Sequence, residues 1–144
     1  AVNYDLAIIL TGGPASEERE FGEKIISLSN SPVTNLIGKT SLKQLQAILA
    51  SARVVIAPDT GPAHMAAATG VPVIGLYASS NPKRTGPYSS LRWTVDRYPD
   101  AMKKFNHEDV ADVSWGKRVR NIDVMDTITV KEVTDKLDEI MTLT

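Results

Sequence analysis

Short, continuous apolar runs alternate along the chain with longer segments whose apolar residues recur every three or four positions. Residues 6–10, 33–37, 53–57 and 71–77 are compact runs bounded by Gly, Pro, Thr or Ser, the pattern of buried strands. Behind the first run, Phe21, Ile25, Ile26 and Leu28 fall at helical spacing, and Glu17, Glu18 and Glu20 sit where acids complement the positive end of a helix. Leu42, Leu45, Ile48 and Leu49 form a second stripe, opened by a Ser41–Gln44 capping box. A third helix starts near Pro62 and ends at Thr69-Gly70, with Gly70 as its C-terminal cap. Val130, Val133, Leu137, Ile140 and Met141 define a closing helix behind a Thr129–Glu132 capping box. From 79 to about 126 the pattern weakens: residues 91–95 are a further strand candidate and the remainder reads as loop-rich, with His107 a surface residue.

Strands and helices that alternate with short connections predict a mostly parallel sheet, right-handed crossovers and helices on both faces. The expected fold is therefore a Rossmann-like, three-layer α/β domain. Ligands of such folds lie outside the carboxyl ends of the strands, where Gly12-Gly13, Lys39-Thr40, residues 59–61 and residues 78–86 are expected to converge.

A chain of 144 residues is one ordinary domain, and its 42% hydrophobic and 23% charged residues are those of a globular protein. The formal net charge of −1 gives no global attraction to nucleic acid. With no cysteine there is neither a disulfide framework nor a thiolate metal site, which suits a cytoplasmic protein. No apolar stretch approaches the ~20 residues of a membrane span, and Ala-Val-Asn-Tyr-Asp does not read as a signal peptide. The abrupt start beside a first strand suggests a piece of a longer chain. Between Asn81 and Arg120, nine Lys or Arg face five Asp or Glu, either a solvated surface or an electropositive segment beside an acidic substrate.

The densest chemistry lies in residues 54–68, where a Val-Val-Ile run, the turn Pro58-Asp59-Thr60-Gly61 and a small-residue helix follow one another. The first backbone N–H groups of that helix and its positive dipole end point toward Asp59 and Thr60, an arrangement that receives anions such as phosphate. Thr60 as helix cap and Gly61 as a tight turn are the plain structural alternatives. Asp59 is awkward as a phosphate ligand because like charges repel; it could cap the helix, accept a ribose hydroxyl or orient His64. His64 is either a core histidine or, kept neutral by the dipole, a hydrogen-bond donor to phosphate.

Ile37-Gly38-Lys39-Thr40-Ser41-Leu42, Ala50-Ser51-Ala52, the block Asp59-Thr60-Gly61-Pro62-Ala63-His64-Met65-Ala66-Ala67, Gly70-Val71-Pro72-Val73 and the turn Asn81-Pro82-Lys83-Arg84-Thr85-Gly86-Pro87-Tyr88 together resemble the C-terminal lobe of the heptosyltransferase family. Those enzymes move heptose from ADP-heptose onto lipopolysaccharide core. The resemblance covers roughly residues 5–88 and, more loosely, the final helix. It implies a GT-B fold of two Rossmann-like lobes, of which residues 1–144 would be the single nucleotide-sugar-binding domain, without the N-terminal lobe. On the same grounds Asp59, Thr60, Gly61 and His64 would contact the donor diphosphate, joined by Lys83 and Arg84 on a mobile loop that also carries Thr85. Gly13, Glu17, Lys39 and Thr40 would serve the nucleoside, with Glu18 a competitor for the role of Glu17. The general base, an aspartate in the family, belongs to the other lobe, so no catalytic residue is expected here.

The implied activity is the donor-binding half of an inverting glycosyltransferase in lipopolysaccharide core synthesis, inactive without its partner lobe. Its implied partners are the nucleotide-sugar donor, a lipopolysaccharide-core-like acceptor and the N-terminal lobe, and its place is the cytoplasm, peripheral at the inner face of the bacterial inner membrane. No metal-ligand motif is present in the sequence, and no cofactor or obligatory metal is expected. Two alternatives remain at this point: another GT-B nucleotide-sugar transferase or epimerase, and a non-catalytic module that binds nucleotide or phosphate.

Overall fold

A computed structural model describes residues 4–143, so Ala1-Val2-Asn3 and Thr144, with the reading of the N-terminus made on them, lie outside the described residues. The chain forms two compact units, the first ending at Ala47 and the second beginning at Ile48. Every strand ladder in both is parallel, as the alternation of elements predicts.

In the first unit, β1 (Ile8–Leu10) pairs with β2 (Val33–Asn35), with Ile8 opposite Val33. The ladder continues past both strands through Leu36 N–H to Leu10 O at 2.9 Å and Gly38 N–H to Gly12 O at 3.0 Å, so the two strand exits are held side by side. Gly38 has φ +69, a left-handed conformation in which a side chain would be strained, and a Cβ there would also crowd Pro14 Cα. Helix α1 (Ser16–Leu28) forms as the pattern predicts, but its inward face differs. Gly22 is buried with Ile37 Cδ1 against it, and Ile26, one turn on, is partly buried. Phe21 and Leu28 are 66% and 74% exposed, because a glycine on the neighbouring face, not the bulkiest stripe, makes the close approach to Ile37. Helix α2 (Leu42–Ser51), within which the two units meet in sequence, opens with the expected box: Ser41 N–H donates to Gln44 Oε1 at 2.8 Å and Gln44 N–H to Ser41 Oγ at 3.3 Å.

The second unit holds a three-stranded sheet, β3 (Val55–Pro58), β4 (Val73–Tyr77) and β5 (Val95–Asp96), with β4 central. Val73, Ile74 and Tyr77 are fully buried. Helix α3 (Gly61–Ala68) joins β3 to β4, and its fully buried Ala63 and Ala66 let it lie close to the sheet. It ends in a Schellman motif, with Gly70 at φ +81, Gly70 N–H bonded to Ala67 O and Val71 N–H to Ala66 O. Helix α6 (Val130–Thr142) packs Val133, Leu137 and Ile140 against Ile74 and Val95, while Val130, at its exposed first turn, is 80% exposed.

Residues 79–126 correct the loop-rich expectation. Residues 91–95 are not a strand: Tyr88–Trp93 is a 3-10 helix, and only Val95–Asp96 pairs with β4. The buried Ser90 hydroxyl accepts the Val73 N–H at 3.1 Å, which lets the segment wind instead of pairing. Tyr98, Ala101, Met102 and Phe105 then occupy helical spacing on α5 (Tyr98–Ala101) and the π-type turn Met102–Asn106, which His107 closes at φ 57. Tyr98, Ala101 and Met102 gather with Ala78, Val119 and Val124 into a core of their own.

The Thr129–Glu132 capping box forms in both directions, Glu132 N–H to Thr129 Oγ1 at 3.3 Å and Thr129 N–H to Glu132 Oε2 at 2.9 Å. Hydrogen bonds from the Thr129 hydroxyl and backbone, then from Arg97, hold the Glu132 carboxyl below the usual glutamate range. Its contribution is therefore complete above the ordinary glutamate pKa of about 4.3 and is lost as acid protonates it. Thr129→Ala is expected to cost about 1 kcal/mol at neutral pH. Urea unfolding of both proteins at several pH values checks this: the gap should narrow below about pH 4.3.

Candidate functional site

The turn between β3 and α3 builds the site. Backbone geometry starts the helix at Gly61 with Pro62 in its first turn, where a missing N–H costs nothing. Thr60 occupies the N-cap position but does not cap: its hydroxyl donates back to Pro58 O at 3.2 Å, and the helix start carries no side-chain cap. Gly61 adopts no positive φ, and a Cβ there would meet nothing within 4 Å. Neither conformation nor packing within the chain thus calls for glycine at this position.

Asp59 is the hub of the arrangement. Its side chain is only 14% exposed, and Oδ2 accepts hydrogen bonds from Ser80 Oγ at 2.7 Å, Thr85 Oγ1 at 3.0 Å and Arg118 Nη2 at 3.0 Å. His64 Nε2 lies 3.9 Å from Oδ1, close enough for charge to matter and too far for a hydrogen bond. Below the carboxylate, Tyr77 is fully buried and donates its hydroxyl to Thr85 O at 2.9 Å. Burial first, and the negative charge of Asp59 second, push the phenol pKa far above its ordinary value, so Tyr77 stays a neutral donor. Of the sequence alternatives for Asp59, helix capping is not what the carboxylate does; it ties the exits of β3 and β4 together.

Lys83 and Arg84 lie on α4 (Pro82–Thr85), a one-turn helix and not the mobile loop expected. Asn81 caps it by accepting the Lys83 N–H at 3.0 Å, and Thr85 faces Asp59. Both basic side chains are exposed. Asp59, Thr60, Gly61 and His64 therefore share one end of the second unit with the α4 turn, the carboxyl side of β3 and β4.

In the first unit the exits of β1 and β2 place Gly12, the neighbour of Gly13, beside Gly38. Glu18, not Glu17, folds back: its Oε2 accepts the Gly13 N–H at 2.7 Å, and a methyl at Gly12 would collide with it. Glu17 remains exposed on the first turn of α1. Lys39 Nζ donates to Asn35 O at 3.0 Å, and Thr40 is partly buried.

Sequence reading missed Ser80, Tyr77 and Arg118 as members of the Asp59 cluster. Ser80, three residues past β4, lies in the 78–86 segment expected at the rim, but its tie to Asp59 was not read; Arg118 is 59 residues from its partner and had no signal. A separate apolar groove of about 310 Å³, lined in part by Leu76, Met125, Ile128 and Val133, shares no residue with this cluster.

Comparison with known proteins adds independent evidence. Residues 2–113 match the model of glycosyltransferase family 9 (heptosyltransferase). The lipopolysaccharide core heptosyltransferase OpsX of Haemophilus influenzae is 36% identical over 140 residues, covering 97% of this chain and 40% of that protein. Lipopolysaccharide heptosyltransferase 1 of Pseudomonas aeruginosa is 37% identical over 82 residues, 57% of this chain and 22% of that protein. Among solved structures, the family 9 glycosyl transferase of Veillonella parvula superposes with a TM-score of 0.72 at 22% identity over 96% of this chain and 37% of its own. E. coli ADP-heptose lipopolysaccharide heptosyltransferase II does so with a TM-score of 0.69, also at 22% identity, over 99% and 38%. The chain thus spans about two fifths of the length of these longer matches.

Proposed function

Because the chain belongs to glycosyltransferase family 9, the heptosyltransferases, we propose that it is the donor-binding part of an inverting enzyme that adds a sugar to lipopolysaccharide core. The observation that carries this reading is the uncapped α3 terminus, with open space where a Cβ on Gly61 would stand, His64 in its first turn and Asp59 bracing the turn before it. That terminus suits the diphosphate of a nucleotide sugar such as ADP-heptose, with the positive end of its dipole facing the anion. Thr60, Gly61, His64, Lys83 and Arg84 take the phosphates, and Asp59 holds the turn. In the first unit, Gly13, Glu17, Lys39 and Thr40 take the nucleoside, with Glu17 available because Glu18 is spent on Gly13.

In the reaction, an acceptor hydroxyl oxygen bonds to the anomeric carbon while the bond from that carbon to the β-phosphate oxygen breaks. The electron pair leaves with the nucleoside diphosphate, and the acceptor proton passes to a base on a second, N-terminal lobe. This chain's share is electrostatic: the positive end of the α3 dipole and the cations beside it stabilise the charge that develops on the departing phosphate. The acceptor places the enzyme at the cytoplasmic face of the inner membrane; among the described residues no helix is long and apolar enough to cross it.

Thermal shift with ADP, UDP and GDP tests the reading. ADP should raise the midpoint most; equal shifts would favour another GT-B transferase, and no shift with any of them would contradict nucleotide binding. Gly61→Ala gives a second check. It should leave the melting temperature unchanged or slightly raised, since alanine is the better helix former, and weaken ADP about fivefold by filling the space a phosphate needs, about 1 kcal/mol.

A further inference from the structure

The segment 116–119 does something its sequence does not announce. Ser79 and Val119 exchange two hydrogen bonds, Val119 N–H to Ser79 O at 2.9 Å and Ser79 Oγ to Val119 O at 3.1 Å. Tyr98, buried in the core, donates its hydroxyl to Lys117 O at 2.8 Å. Val119 is itself 1% exposed, so the segment is strapped across the exit of β4 from three sides. Arg118, between the two anchors, reaches Asp59 with one guanidinium nitrogen while its side chain stays 46% exposed. The guanidinium of Arg84 lies along the same strap, its carbon 3.6 Å from where a Cβ of Gly116 would stand.

The geometry points to Arg118 as a diphosphate-binding residue of the donor site, held ready by Asp59 as its positioning residue. This rests on the donor-binding reading above and extends it to a part of the chain outside the quoted motifs. Asp59 alone would repel phosphate; Arg118 on its Oδ2 offsets that carboxylate beside the α3 terminus, and the guanidinium of Arg84 lies along the same strap. Asp59 takes one guanidinium nitrogen, Nη2, and the rest of the planar fork, on a side chain 46% exposed, suits the oxygens of a phosphate. Because Asp59 already fixes the fork, little side-chain freedom remains to be lost when the ligand binds. As the anomeric carbon–oxygen bond breaks and its electron pair moves onto the β-phosphate, the same cation faces the growing charge.

Isothermal titration of wild type, Arg118→Ala and Arg118→Lys with ADP, AMP and adenosine tests this. The expected result is about tenfold weaker ADP binding for Arg118→Ala, a smaller loss for AMP, no change for adenosine, and partial recovery in Arg118→Lys. Asp59→Asn, which keeps the shape and one acceptor oxygen, should weaken ADP in the wild-type background and do little once Arg118 is gone, the sign that it acts through Arg118. If wild type binds ADP and Arg118→Ala binds it equally well with an unchanged melting temperature, the assignment of Arg118 is wrong while the donor site stands. If wild type binds no ADP, the donor reading itself fails and this assignment with it. Loss of adenosine binding in step with ADP would mark a structural defect and also overturn the proposal.

Discussion

Replacing Asp59 by alanine is expected to lower stability by about 2 kcal/mol and ADP affinity by about tenfold, no more than the loss of Arg118 itself. The two losses have separate causes. Ser80, 4% exposed, loses the acceptor of its hydroxyl, and a hydroxyl left unpaired in a buried setting carries most of its desolvation cost, whereas Thr85 can still donate to Asn81 O at 3.3 Å. Arg118 is exposed enough to turn into water, so its release adds little to the instability. It adds much to the binding loss, because the fork is no longer held beside the helix terminus. Chemical denaturation and calorimetric titration measure the pair of effects. A variant that unfolds like wild type and binds ADP as tightly would show that the Asp59 hub is incidental.

Gly86→Ala is expected to destabilise the chain more, by about 3 kcal/mol, lowering the melting temperature by about 10 °C. Glycine stands there for room and not for conformation: φ is −69, and its N–H donates to Pro82 O at 2.7 Å. An added Cβ would come within 2.4 Å of that same carbonyl oxygen and 2.5 Å of Leu91 Cδ2. The leucine can turn aside; the backbone carbonyl cannot without unwinding α4, and that movement would pull Thr85 from Asp59. A melting temperature within about 2 °C of wild type would show that the turn yields easily.

What the sequence made legible was local. The Ser41–Gln44 and Thr129–Glu132 boxes span three residues each, Gly70 ends α3 with the φ only glycine takes at little cost, and Pro62 starts it; all were readable from a few neighbours. Central strand β4 was readable because a strand buried on both faces must be apolar throughout. Residues 88–93 misled because Leu91, Trp93 and Val95 mimic strand alternation, while the deciding contact, Ser90 on Val73, is tertiary. The apolar positions Tyr98, Ala101, Met102 and Phe105 did carry a helical period, but Pro99 and the shortness of the run hid it. Of the site, the motif residues stood out by type, whereas the Asp59–Arg118 pair joins positions 59 residues apart and depends on the strap that Val119 anchors.

In the proposed function the α3 terminus seats a nucleoside diphosphate. Titrating the isotope-labelled chain with ADP and following its backbone amide resonances tests this most directly. Saturable shifts are expected at Thr60, Gly61, Ala63 and His64, with Arg118 moving in step, and a weaker response to AMP. Saturable ADP binding that leaves those amides unmoved, or no binding at millimolar ADP, would contradict it.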